Sequence, residues 1–214
     1  MVSQAAAAAA GGTRERLLAA AAAEFAARGF DGAKVDRIAA RAGVNKAMLY
    51  YHFRSKAALY REILAGMFRA VGVRVRAAAL SQADPAEKIR AFIEAIAGEA
   101  EARPYFPRIW FREIAEGGRH LDEQIVGDIA TVLRTLSAIV DEGVRARRFT
   151  PVAPLLLHSG IVAPLLLFFA SAPLRLRVQQ AGGGAAARIT REEVVAHLLH
   201  GTLLVLESAE GRPR

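Results

Sequence analysis

No cysteine occurs among the 214 residues, which removes structural disulfides, thiolate metal sites and cysteine nucleophiles together and fits a reducing, cytoplasmic setting. Runs of strand-forming residues are scarce. Alanine, leucine, arginine and glutamate dominate instead, the composition of an all-α protein. Lysine is also rare, supplying only Lys34, Lys46, Lys56 and Lys88 of the 29 basic residues. The alanine-rich opening, residues 1–12, has no basic stretch before it, so it reads as a disordered arm rather than a secretory signal. No Ser/His/Asp arrangement, glycine-rich phosphate loop or carboxylate pair stands out. The reading is therefore of a protein that is not an enzyme and needs no cofactor.

What is present is positive charge, unevenly placed. The chain carries +8, and residues 1–60 hold nine basic against four acidic groups, leaving only +3 for the rest. Concentration of this kind is the footprint of a phosphate-binding surface.

Apolar periodicity gives nine helices. The first runs from Arg14 to Arg28 behind a Thr13 cap, and two short ones cover Val35–Arg41 and Lys46–Phe53 around a break at Gly43. A long helix capped by Ser55 reaches Leu80, and Asp84-Pro85 opens the next, which Arg103-Pro104 ends. Trp110, Phe111 and Ile114 mark a helix stopped at Gly117-Gly118. Leu121–Arg147, Pro151–Ser171 and Arg191–Ser208 complete the set, with Gly182-Gly183-Gly184 as a loop. The expected organisation is an arm (1–12), a DNA-binding domain (13–60) and a larger helical domain (61–214).

Residues Val35–Arg54 fit a helix-turn-helix for steric reasons. Ala39 lies where the two helices cross closely, and Gly43 takes a turn conformation that a Cβ would strain. Ile38, Ala42, Val44 and Leu49 pack the pair inward, which directs Lys46, Ala47, Met48, Tyr50, Tyr51 and His52 outward or sideways. Lys46 suits phosphate or a guanine edge, and Ala47 or Met48 suits a thymine methyl. Tyr50, His52 and Lys56 suit phosphate, as do the backbone donors at Asn45 and Ser55. An isolated Tyr50-Tyr51-His52 cluster would read as a packed helix end. The spacing of Ala39, Gly43 and Leu49, together with the local charge, points to DNA.

The run Val44-Asn45-Lys46-Ala47-Met48-Leu49-Tyr50-Tyr51-His52-Phe53, with Gly29-Phe30 before it and Ser55-Lys56 and Leu59 after, resembles the N-terminal domain of the tetracycline-repressor (TetR) family. The resemblance covers about Thr13 to Leu64. It implies a homodimer, a palindromic double-stranded DNA operator read by Asn45–Phe53, and a C-terminal domain whose small-molecule inducer releases DNA. It also implies a dimer bundle made from the last two helices, here Pro151–Ser171 and Arg191–Ser208. Two positions depart from the family pattern. Lys34 stands where a Ser or Thr usually caps the second helix, though it could still reach phosphate. Ala47 stands where glycine is common.

Weaker signals lie downstream. Phe149–Leu174 holds no formally charged residue and is long enough to span a bilayer, but Pro151, Pro154, Pro164 and Pro173 interrupt it and His158, Ser159 and Gly160 sit near its centre. A buried interface helix explains the same residues without a membrane, and a membrane-anchored regulator is the alternative. Met67, Phe92, Phe106, Trp110, Phe111, Phe168 and Phe169, with His120 or His158 as polar handles, are candidates for a bulky hydrophobic ligand's pocket. Glu193, His197 and His200 share one helix face, but that pattern is more often solvated or interfacial, so no metal is assigned. The reading is of a repressor released by its ligand, and a transcriptional activator with the same DNA-binding domain is a further alternative.

Overall fold

The computed structural model describes residues 2–81, 84–184 and 188–207, which form ten helices and no strand. They are α1 (Val2–Gly32), α2 (Val35–Ala42), α3 (Lys46–Phe53), α4 (Lys56–Ser81), α5 (Pro85–Ala102), α6 (Phe106–Ala115), α7 (Glu123–Arg145), α8 (Pro154–Ala170), α9 (Ala172–Gln180) and α10 (Arg191–Glu207). Several boundaries shift by a few residues, and two features differ more. Helix α1 begins upstream of Thr13 because alanine is the strongest helix former and nothing before Gly11 stops it; it breaks from helical geometry at Gly29. Helix α9 is the extra element, opened by Pro173 in its first turn. The expected end at Ser208 lies outside the described residues.

The chain divides into two compact units, and the division falls inside α4, after Met67, rather than after residue 60. The first unit also takes in Arg108–Ile125. Its core is Leu17, Ala21 and Phe25 of α1, Ile38 and Ala39 of α2, Leu49 and Phe53 of α3, and Leu59, Tyr60 and Leu64 of α4, all 5% exposed or less. Tyr60 and Phe25 meet ring to ring, with centroids 4.6 Å apart.

In the second unit α5, α8 and α10 pack on one another. These helices bury Ile89, Phe92, Ile93 and Ile96 of α5, Leu157, Ile161 and Leu165 of α8, and Val195, Leu199 and Leu206 of α10. Helix ends are tied as the sequence leads one to expect at Asp84, whose carboxylate accepts from the Ala86 and Glu87 amides at 2.8 and 3.4 Å. The backbone amide of Thr150 donates to the Leu206 carbonyl at 2.7 Å, and its hydroxyl donates to the same carbonyl at 3.1 Å, which closes the end of α10. Glu99, almost wholly buried, accepts from both Arg74 and Arg103. Gly143 leaves room for the Phe149 ring, which would lie 2.0 Å from any Cβ built there.

Candidate nucleic-acid interface

The turn between α2 and α3 is a Schellman motif. The Gly43 amide donates to the Ala40 carbonyl at 3.1 Å and the Val44 amide to the Ala39 carbonyl at 3.0 Å, with Gly43 at φ 67°. Only glycine enters that left-handed region without strain, and this turns the chain sharply enough to lay α3 across α2. Asn45 caps α3, its side chain accepting from the Met48 amide at 3.0 Å. Ser55 caps α4 in the same way through the Ala58 amide, also at 3.0 Å.

Lys34 makes no side-chain cap at the start of α2. A residue of α1 braces this end instead. Glu24, on α1 and only 6% exposed, accepts from the Lys34 amide at 3.4 Å and from Arg37 Nε at 2.6 Å, while Arg28 lies 3.5 Å away. Burial alone would push the Glu24 carboxyl up. Arg37, the Lys34 amide and Arg28 more than reverse this, so its pKa lies below the ordinary carboxylate value.

With Leu49 and Phe53 buried against α1 and α2, α3 exposes Asn45, Lys46, Ala47, Tyr50 and Tyr51, and leaves Met48 partly exposed. Tyr51 is the most exposed aromatic, at 78%. Lys46 Nζ pairs with Asp36 at 3.0 Å, and that carboxylate holds its ammonium above the ordinary lysine value. Lys34 is exposed one residue before α2. Arg41 and Arg54, exposed at the ends of α2 and α3, add charge that the sequence reading passed over.

Two phosphate candidates are differently placed from expectation. Lys56 Nζ donates to the Phe30 carbonyl at 2.8 Å and the Ala33 carbonyl at 3.2 Å, and sits 4.5 Å from the Phe30 ring centroid. Phe30 lies in the last turn of α1 and Ala33 just beyond it, so this ammonium closes a helix terminus and is not a free cation. The His52 ring is half-buried beside Tyr51 and Phe53, and its Nε2 is enclosed without a partner.

The candidate ligand residues divide between the units. Met67, Trp110, Phe111 and His120 belong to the first; Phe92, Phe106, His158, Phe168 and Phe169 belong to the second. His120 packs on the Phe30 and Tyr60 rings. Phe92 and Phe106 are core residues. Phe168 lies under the Arg175 guanidinium, 4.0 Å from it. Burial lowers the pKa of His158. Neither of two grooves in the second unit is lined by these residues: one of about 450 Å3 runs between α8 and α10, and one of about 440 Å3 is lined by residues such as Arg76, Lys88, Thr131 and Glu142. Glu193 is engaged elsewhere. Its carboxylate accepts from the Thr190 amide at 2.7 Å and its own amide donates to the Thr190 hydroxyl at 3.2 Å, a capping box at the start of α10. Among the described residues no single helix is long and apolar enough to cross a membrane; α8 and α9 pass that test only as a pair, bent by 62°.

Comparison with known proteins agrees with this geometry. Residues 17–63 match the family described as bacterial regulatory proteins, tetR family, and residues 74–163 match that of the YcdC-like protein, C-terminal region. The HTH-type transcriptional regulator RutR of Escherichia coli K12 is 27% identical over 130 residues, which are 61% of each chain. The match thus spans about three fifths of that relative's length. The HTH-type transcriptional activator FasR of Mycolicibacterium smegmatis is 42% identical over 71 residues, 33% of this chain and 32% of FasR. The fold matches the structure of the ketosteroid transcriptional regulator KstR2 of Mycobacterium tuberculosis at a TM-score of 0.72, with 24% identity, covering 91% of this chain and 95% of that one. With an all-α fold, a helix-turn-helix at α2–α3 and matches to both of its regions, the chain belongs to the TetR family of bacterial regulatory proteins.

Proposed function

We propose that this chain is a transcription regulator that binds a palindromic operator in double-stranded DNA as a homodimer, and that it represses until a small hydrophobic ligand releases it. The observation that carries the reading is the outward face of α3. It presents Lys46, Ala47, Met48 and Tyr51 to solvent from a short helix whose other face is fixed by Leu49 and Phe53. Such a helix presents its first turns to base edges in the major groove. Tyr50, Lys34, Arg41 and Arg54 then serve phosphates.

Dimerisation is supported by an unpartnered face of the second unit. Leu156, Gly160, Ala163 and Leu167 recur along α8 at helical spacing and are exposed, as are His197, Gly201 and Leu204 along α10. Leucines flanking glycine and alanine let a second copy's helices approach closely, and an isologous contact would bury the whole stripe. Repression needs nothing beyond occupancy of the operator. The ligand acts only through its different affinity for the DNA-competent and DNA-released arrangements.

Selection of duplexes from a random-sequence pool tests the reading. An enriched inverted repeat, with half-sites one helical turn or a multiple apart, is the expected result. Binding with no sequence enrichment would overturn it. A reporter carrying the selected site then gives the sign of regulation.

A further inference from the structure

We propose that Glu113, Glu116 and His120, in the same compact unit as the helix-turn-helix, form a binding site for a zinc-class divalent transition-metal ion. One ligand atom from each of the three lies within 4.8 Å of the other two. They are brought together by the end of α6. The Gly118 amide donates to the Glu113 carbonyl at 2.7 Å and the Gly117 amide to the Ile114 carbonyl at 3.1 Å, with both glycines at φ 72°. This left-handed pair folds the chain back, so that His120 Nδ1 stands 2.9 Å from Glu113 Oε1.

The independent pointer to a cation is Glu113 itself. Its side chain is 1% exposed, yet while Oε1 accepts from the Tyr60 hydroxyl at 2.7 Å and faces His120, Oε2 is buried with no hydrogen-bond partner among the described residues. A buried carboxylate oxygen is seldom left in this state. A metal ion bound to Oε2, Glu116 and His120 would satisfy it.

The donor set defines the class of ion. Two carboxylates and one imidazole suit zinc and its first-row neighbours, whereas magnesium and calcium favour oxygen alone. Three protein ligands leave one or more positions for water. Binding requires two local changes. Nδ1 of His120 must give up its hydrogen bond to Glu113 and be unprotonated, and Glu116 must release Arg119, which lies 2.9 Å away. Arg119 retains its other partner, Asp31, at 2.6 Å. Tyr60 supplies the outer-shell hydrogen bond that orients the ligating carboxylate. Through the Tyr60 hydrogen bond to Glu113, the site is linked to α4, the helix that follows α3.

Cobalt(II) titration of the chelator-stripped full-length protein, followed by displacement with zinc(II), tests the site. The expected result is saturable visible absorption at one ion per chain, bleached by zinc. Both His120→Gln and the exposed Glu116→Gln should weaken binding at least roughly tenfold, and Tyr60→Phe should weaken it by about tenfold. The double variant His197→Gln/His200→Gln should leave it unchanged. Absence of saturable binding, unchanged affinity in either Glu116→Gln or His120→Gln, or loss of binding in the His197/His200 variant would each overturn the proposal.

Discussion

Arg37 Nε donates to Glu24 Oε1 at 2.6 Å, and through this contact α1 holds the start of α2, the helix that packs against α3. The same carboxylate oxygen receives the Lys34 amide, so one buried group braces the start of α2, where Lys34 makes no side-chain cap. Charge-assisted hydrogen bonds of this kind contribute about 2 kcal/mol each. Glu24→Gln is expected to lower unfolding stability by about that amount at pH 7, measured by urea denaturation. The pH dependence has a definite sign. Because the folded-state pKa is held below the ordinary carboxylate value of 4.5, wild type should hold its advantage above that pH and lose it as the pH falls through the folded-state value. An advantage that persists into strong acid would contradict the assignment.

Lys56 gives a second test because its two readings differ in what they perturb. As a phosphate clamp it would affect only DNA binding. Its ammonium instead closes the Phe30 and Ala33 carbonyls, so Lys56→Met is expected to destabilise the protein by about 2 kcal/mol in the absence of DNA. An unchanged thermal midpoint would return this residue to the phosphate role.

Asp36 restrains Lys46 from the neighbouring helix. Asp36→Asn removes a negative charge from the proposed interface and frees that ammonium. Duplex binding should tighten several-fold at low salt, and the slope of log K against log salt should steepen by roughly 1. Fluorescence anisotropy over a salt series measures both, and a slope no steeper than wild type would place Lys46 away from phosphate.

Leu156 is 73% exposed on the apolar stripe of α8. Leu156→Arg places a charge there without disturbing the core. Sedimentation velocity should then show a monomer that retains its helical circular dichroism and loses most of its operator affinity. A dimer that persists unchanged would locate the interface elsewhere.

The parts of this molecule legible in the sequence are those built from neighbouring residues. Gly43, Ala39 and Leu49 fall at spacings that only a tight helix–turn–helix satisfies, and Asn45, Ser55 and Asp84 cap the helices they precede. Helix α9 was missed because Leu174, Leu176 and Val178 alternate with polar residues, a strand-like period, although Pro173 carries a helix-start signal. Contacts between distant segments leave no such trace. The roles of Glu24 and Lys56 depend on how α1 ends, and the pairing of Tyr60 with Glu113 crosses 53 positions. Likewise, Glu193 shares a helix face with His197 and His200, yet its carboxylate turns back onto Thr190.

The central claim is that the first turn of α3 reads bases, and repeating the duplex selection with Ala47→Gly and with Met48→Thr tests it most directly. The prediction is a changed base preference at one or two symmetrical positions in each half-site, with the spacing of the repeats and the flanking positions unaltered. Identical preferences from wild type and both variants would contradict it.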